Sequence, residues 1–200
     1  MSVMSKNYTF KITVLNIVIF AIVYFFCPYL VYTLGLSPYA IKTQHTYWQF
    51  ISYFFLHGSV THLGLNMLSL YIFGSAVEGR VGSKEFLLFY MICGILAGVL
   101  SFLFFDLLGC NVLLLGASGA IYGLIIYFSC LYPRSDIYIF GLVPIKAPAC
   151  IVLFFIGELL SELSVDGISH FTHCFGLLVG FIYYHLHYKV SPFEVWKRGY

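Results

Sequence analysis

Six apolar runs succeed one another along the chain, each closed by a short break. They cover about 12–34, 60–77, 86–108, 117–132, 147–163 and 169–188. Ser37-Pro38, Gly79, Gly82, Gly109, Pro133, Pro144 and Gly167 mark the breaks. A run of this length in hydrocarbon must satisfy its backbone polar groups within its own segment, which predicts a helix for each. Lys6 and Lys11 precede the first run as they would in a secretory signal. The run exceeds the ~7–15 residues of a signal core and no A-x-A site follows, so it reads as a retained span. The stretch 41–57 is aromatic and weakly charged, as expected of short helices on a membrane surface. The expected fold class is therefore all-α: a polytopic membrane protein of six transmembrane helices in a single domain, 1–200, with a core over about 48–188.

Composition reinforces this pattern. The 200 residues are 61% hydrophobic and 9% charged, against roughly 25% charge in a soluble domain. The expected surroundings are a lipid bilayer. A net charge of +2 without a basic block argues against nucleic-acid binding. Cys27, Cys93, Cys110, Cys130, Cys150 and Cys174 form no C-x-x-C and read as buried small residues. No feature assigns an oligomeric state.

Cationic residues set the orientation. Lys6, Lys11, Arg80, Lys84, Arg134, Lys146, Lys189, Lys197 and Arg198 fall on one side, and Lys42 alone falls opposite. Both termini are expected to be cytoplasmic, with 41–57, 106–115 and 162–168 facing outward.

Polar residues inside the runs are candidates for function. His62 and Asn66 lie in the second run, Ser118 in the fourth and His173 in the sixth. Measured from the inner end of each run, the three sites sit ~22–24 Å along a helix, so they share one depth beneath the outer surface. His62 and Asn66, at i and i+4, share a helix face. Gly119 with Gly123, and Gly176 with Gly180, are small-x-x-x-small pairs that admit close helix approach. The fourth and sixth helices could then bring Ser118 to His173.

These residues carry a family likeness. Gly116-Ala117-Ser118-Gly119 resembles the G-x-S-G of the rhomboid intramembrane serine proteases. His62-Leu63-Gly64-Leu65-Asn66 resembles their H-x-x-x-N, and His173-Cys174-Phe175-Gly176 with Gly180 their H-x-x-G-x-x-x-G. "GSAVEGRVG", Gly74 to Gly82, is similar to their G-x-x-x-E-x-R-x-G. The long first loop lacks the Trp-Arg pair that some members carry, and Leu115 stands where some bacterial members have Gly. With no seventh span or soluble domain, the chain looks like the minimal form, which leans towards a bacterial inner membrane.

The resemblance implies the six-helix rhomboid fold and hydrolysis of single-span membrane proteins near their outer end, with the fifth span and 162–168 as a gate. It implies Ser118 as nucleophile and His173 as base, with Tyr122 packing on the imidazole. The backbone N–H of Ser118 at a helix start, with His62 and Asn66, would bind the oxyanion, and the bare backbone at Gly116 would admit substrate. Asp106 and Asp166 lie in outer loops and Glu78 at the far end, so a Ser-His dyad is expected. No cofactor is expected, and no metal: His170 and His173 form H-x-x-H without a third ligand. His185 and His187 read as interfacial surface, and Cys174 points away from the face of His173. Gly74, Glu78, Arg80 and Gly82 read as structural.

Plainer readings compete. Ser118 could be a packing residue, His173 a satisfied core histidine, and His62–Asn66 an interhelical hydrogen-bond pair. Two other functions fit the composition. A six-span channel or transporter would show flux that survives Ser118→Ala. A non-catalytic rhomboid-like protein would bind or escort membrane proteins, although such relatives typically lose the serine or histidine that this chain keeps.

Overall fold

The computed structural model describes residues 7–139, 141–161 and 170–199, with the side chains of 159–161 left aside. Asp166 and the expected gate loop 162–168 lie outside the described residues. Helix α1 spans Tyr8–Phe25. Short helices α2 (Leu30–Leu34), α3 (Pro38–Gln44) and α4 (Gln49–Ser52) follow, then a 3-10 turn at Tyr53–Phe55. A long helix continues as α5 (Val60–Ser69), a π turn (Leu70–Gly74) and α6 (Ser75–Val81). Then come α7 (Ser83–Leu107), α8 (Ser118–Leu131), α9 (Ala147–Ser161), α10 (His170–Tyr188) and α11 (Pro192–Arg198).

Three of these are long and apolar enough to cross a membrane: Tyr8–Phe25, Val60–Val81 and Ser83–Leu107. Ser118–Leu131 and Ala147–Glu158 are shorter apolar helices. In α10, His170, His173, His185 and His187 dilute an otherwise apolar sequence. The first run departs most from expectation. Its helix ends at Phe25, before Pro28, and the chain re-enters helix only briefly at Leu30.

One departure from an all-helical chain lies between α8 and α9. Strands β1 (Asp136–Ile139) and β2 (Val143–Lys146) pair antiparallel, Asp136 opposite Lys146. Lys146 Nζ lies 2.9 Å from Asp136 Oδ1. Ile137 and Ile139 are half-buried while Asp136 and Tyr138 stand exposed, the period-two signature of a strand.

Local chemistry places the ends. Ser59 caps α5 by accepting from the N–H of His62, and Ser37 caps α3 ahead of Pro38. Gly82, at φ 89°, lets α6 turn directly into α7. Glu78 accepts from the N–H groups of Tyr8 (2.7 Å) and Thr9 (2.8 Å) and from Thr9 Oγ1 (2.7 Å). It therefore satisfies orphan donors at the start of α1, which is why this motif needs an acid there.

Helix α8 occupies the centre of the bundle, buried from Gly119 to Ile121 and from Gly123 to Tyr127. Against α10 the backbones touch: a Cβ at Gly176 would stand 2.1 Å from Gly119 O, and one at Gly180 2.7 Å from Gly123 Cα. The expected small-residue seam is thus real, formed by Gly119, Gly123, Gly176 and Gly180. Tyr53 and Phe54, fully buried, wedge against Gly98 and Gly94 of α7, and Tyr53 donates to Gly94 O at 2.7 Å. The loop 41–57 is thus a short-helix plug. Trp48 Nε1 and Gln49 Nε2 each donate to Thr33 O at 3.1 Å, and Gln49 Oε1 accepts from Ser37 N–H. Bulky residues stand exposed along the outer helices, among them Phe10, Val14, Val18 and Ile22 on α1 and Leu65, Leu68 and Ile72 on the second long helix. That is lipid-facing surface.

Candidate active site

The segment before α8 is fixed by backbone pairing. Leu36 and Leu114 form an antiparallel bridge, and Gly116 N–H donates to Tyr53 O at 3.1 Å. Gly116 has φ 122°, and a Cβ there would lie 2.7 Å from His62 Nε2. Only glycine lets the backbone take that angle and pass beneath the His62 ring. The chain then enters α8 at Ser118, whose N–H belongs to the first turn, where no intrahelical acceptor exists.

Across the glycine seam, Ser118 Oγ lies 2.7 Å from His173 Nε2. Tyr122, one turn further along α8, stacks on the same imidazole, with ring centroids 4.4 Å apart and planes 6° apart. His62 is half-buried and its ring packs edge-on to that of His57, centroids 5.1 Å apart. Asn66 is buried, and its Nδ2 donates to His62 O at 2.9 Å within its own helix. Gly116, His62, Ser118, Tyr122 and His173 thus fall into one cluster, while the Asn66 amide is engaged along α5.

One residue had no place in the expected dyad. Glu158 of α9, largely buried, sends Oε2 to within 2.8 Å of His173 Nδ1 and 2.5 Å of His170 Nδ1. Its Oε1 accepts from the Tyr122 hydroxyl. The expectation that no carboxylate reaches His173 is therefore corrected. The signal was in the sequence: an acid inside the apolar run 147–163 is costly in a membrane and calls for a partner. His170 and His173 do have a third potential ligand beside them, contrary to expectation. Glu158, His170 and His173 offer ligand atoms all within 4.8 Å of one another, although here those atoms bond to one another.

The tautomer of His173 follows once Glu158 is ionised. An ionised carboxylate only accepts, so Nδ1 of His173 carries its proton towards Glu158. Nε2 is then the bare nitrogen, able to accept from Ser118 O–H. A hydroxyl hydrogen-bonded to a base that is itself oriented by a third group is the arrangement that activates a nucleophile. A pocket of about 620 Å³ lies elsewhere, lined by Tyr32, Ser37, Thr46, Trp48, Gln49 and Asn111.

A model of the Rhomboid domain matches residues 44–189, most of the chain. The chain belongs to the rhomboid family. It is similar to rhomboid protease GluP of Bacillus subtilis, 36% identical over 89 residues, covering 44% of this chain and 17% of that protein. It is also similar to two Arabidopsis thaliana proteins. With RHOMBOID-like protein 2 it is 34% identical over 139 residues, 69% of this chain and 41% of the relative. With Rhomboid-like protein 11, chloroplastic, it is 31% identical over 158 residues, 73% and 54%. The chain therefore matches about half or less of the length of these relatives. Family and apolar helices together make it an integral membrane protein.

Proposed function

We propose that this rhomboid is an intramembrane serine endopeptidase that cleaves single-span membrane proteins near their outer end. One observation carries the reading: the 2.7 Å approach of Ser118 Oγ to His173 Nε2, between helices held by a glycine seam. The proposed frame is the single six-span domain, 1–200, with α1, α5–α6, α7, α8, α9 and α10 as spans and both termini cytoplasmic. The proposed location is a bacterial inner membrane.

In the reaction, His173 Nε2 takes the hydroxyl proton as Ser118 Oγ bonds to the scissile carbonyl carbon, and the carbonyl π pair moves onto oxygen. That oxyanion meets the Ser118 N–H at the positive end of α8, with the His62 ring and the Asn66 amide as further donors. For Asn66 this requires the amide to leave His62 O. The carbon–nitrogen bond then breaks and His173 returns its proton to the leaving amine. Water, deprotonated by the same nitrogen, then adds to the ester carbon, and the bond from that carbon to Ser118 Oγ breaks as His173 returns the proton to the serine oxygen. Gly116 keeps the path beside His62 open, Tyr122 holds the imidazole plane, and Gly119, Gly123, Gly176 and Gly180 hold α8 and α10 in register.

The test is incubation in proteoliposomes with a generic single-span substrate, the cut mapped by mass spectrometry. Cleavage near the outer end of the span, lost in Ser118→Ala, is expected. Wild-type protein that leaves every such substrate intact refutes the reading.

A further inference from the structure

We infer that Glu158 completes a Ser118–His173–Glu158 triad, acting as a positioning residue through His173. The inference rests on the protease reading above and departs from the dyad that the family likeness implies. Glu158 comes from α9, which also sets Phe154 edge-on against the Tyr122 ring, and reaches the nitrogen of His173 opposite Ser118, at 2.8 Å. Nucleophile, base and carboxylate therefore come from three separate helices and meet in line across one imidazole.

The surroundings explain why a carboxylate is tolerated there. A buried charge is costly unless several donors share it. Three converge on Glu158: the Tyr122 hydroxyl, His170 Nδ1 and His173 Nδ1. Tyr122 thus serves twice, with its ring stacked on His173 and its hydroxyl on the acid that orients His173. His170 bonds the same oxygen as His173, so Oε2 is held from two sides.

The chemistry follows the general logic of a third group behind a base. Glu158 keeps the proton on Nδ1, which leaves Nε2 free to accept from Ser118. When Nε2 takes that proton the ring becomes imidazolium, and the adjacent carboxylate stabilises the new charge. Glu158 gains no proton at any step. A glutamine would fill the same space but can donate its amide to Nδ1, turning the bare nitrogen away from Ser118.

Purified full-length protein in proteoliposomes tests this with Glu158→Gln, Glu158→Asp and Ser118→Ala. For Glu158→Gln, kcat is expected to fall about 10⁴-fold and at least about 10²-fold, with KM little changed, by analogy with tautomer reversal in other triads. Inactivation by a serine-directed phosphonate should slow in parallel. Glu158→Asp should recover part of kcat. A fall in kcat smaller than about 10²-fold in folded Glu158→Gln overturns the inference. Wild-type protein gives an independent readout through ¹⁵N-histidine NMR. His173 protonated at Nδ1, with that proton shifted far downfield, is expected, and a neutral ring protonated at Nε2 overturns the inference. Cleavage abolished by Ser118→Ala but intact in Glu158→Gln defeats the triad alone, whereas an inactive wild type defeats the protease reading itself.

Discussion

Adding one methyl group at Gly176 should separate the nucleophile from its base without touching either. A Cβ there would lie 2.1 Å from Gly119 O and 2.9 Å from Gly119 C. Both are backbone atoms of a helix and cannot rotate away. Carbon–oxygen contacts close only to about 3.3 Å, so α8 and α10 must part by roughly 1 Å. Ser118 opens α8 and His173 stands one turn before Gly176, so that movement stretches their 2.7 Å contact beyond the ~3.2 Å reach of a proton-transferring hydrogen bond. Misplacement of about 1 Å costs on the order of 10²-fold in rate, and overpacking adds ~1–3 kcal/mol of destabilisation. The assay is the rate of substrate cleavage in proteoliposomes, paired with phosphonate labelling and a thermal melt in detergent. Gly79→Ala is the control, since nothing lies within 4 Å of a Cβ there. A Gly176→Ala protein cleaving within about threefold of wild type would refute the reasoning.

Other consequences can be checked in the same preparations. Gly116→Ala forces φ 122° on an L side chain and puts a carbon 2.7 Å from His62 Nε2; kcat should fall ~10²-fold or more, as when an oxyanion donor is lost. His57, in the turn before α5, is pushed down to about 3 by burial and then by neighbouring His62. Its lowered value means that protons bind the unfolded chain first, so its stabilisation is full above about pH 6.5 and is lost as pH falls towards 3, reaching ~2 kcal/mol by pH 5. Melting temperature should therefore drop between pH 7.5 and pH 5, and drop less in His57→Gln. Single-span substrates with glycine or proline near the cut should be processed faster than leucine-stiffened versions, because a helical backbone hides its carbonyls; equal rates would contradict the proposed mode of attack.

What the chain discloses without coordinates depends on how local the cause is. Apolar runs report helices because lipid leaves the backbone no other partner, and five of the six runs end within a few residues of the observed helices. The first failed because Pro28 breaks the helix inside an unbroken apolar stretch. The β1–β2 hairpin was missed because a four-residue alternation is a weak signal between strong ones. The meeting of Ser118 with His173 could be anticipated from glycine spacing, since only small residues allow such an approach. For Glu158 the sequence signals only a costly acid in an apolar run and not its partner, because spacing along one helix says nothing about which face another helix presents to it. Its 15-residue separation from His173 spans a connection whose geometry is not encoded in either run.

The most direct test of the central claim, that His173 makes Ser118 a nucleophile, is intact-protein mass spectrometry after exposure to a fluorophosphonate. One adduct, mapped to Ser118 in the wild type and missing from folded His173→Ala, is the predicted result. A folded wild type that stays unlabelled, or a His173→Ala protein labelled at Ser118 as fast as wild type, would contradict it.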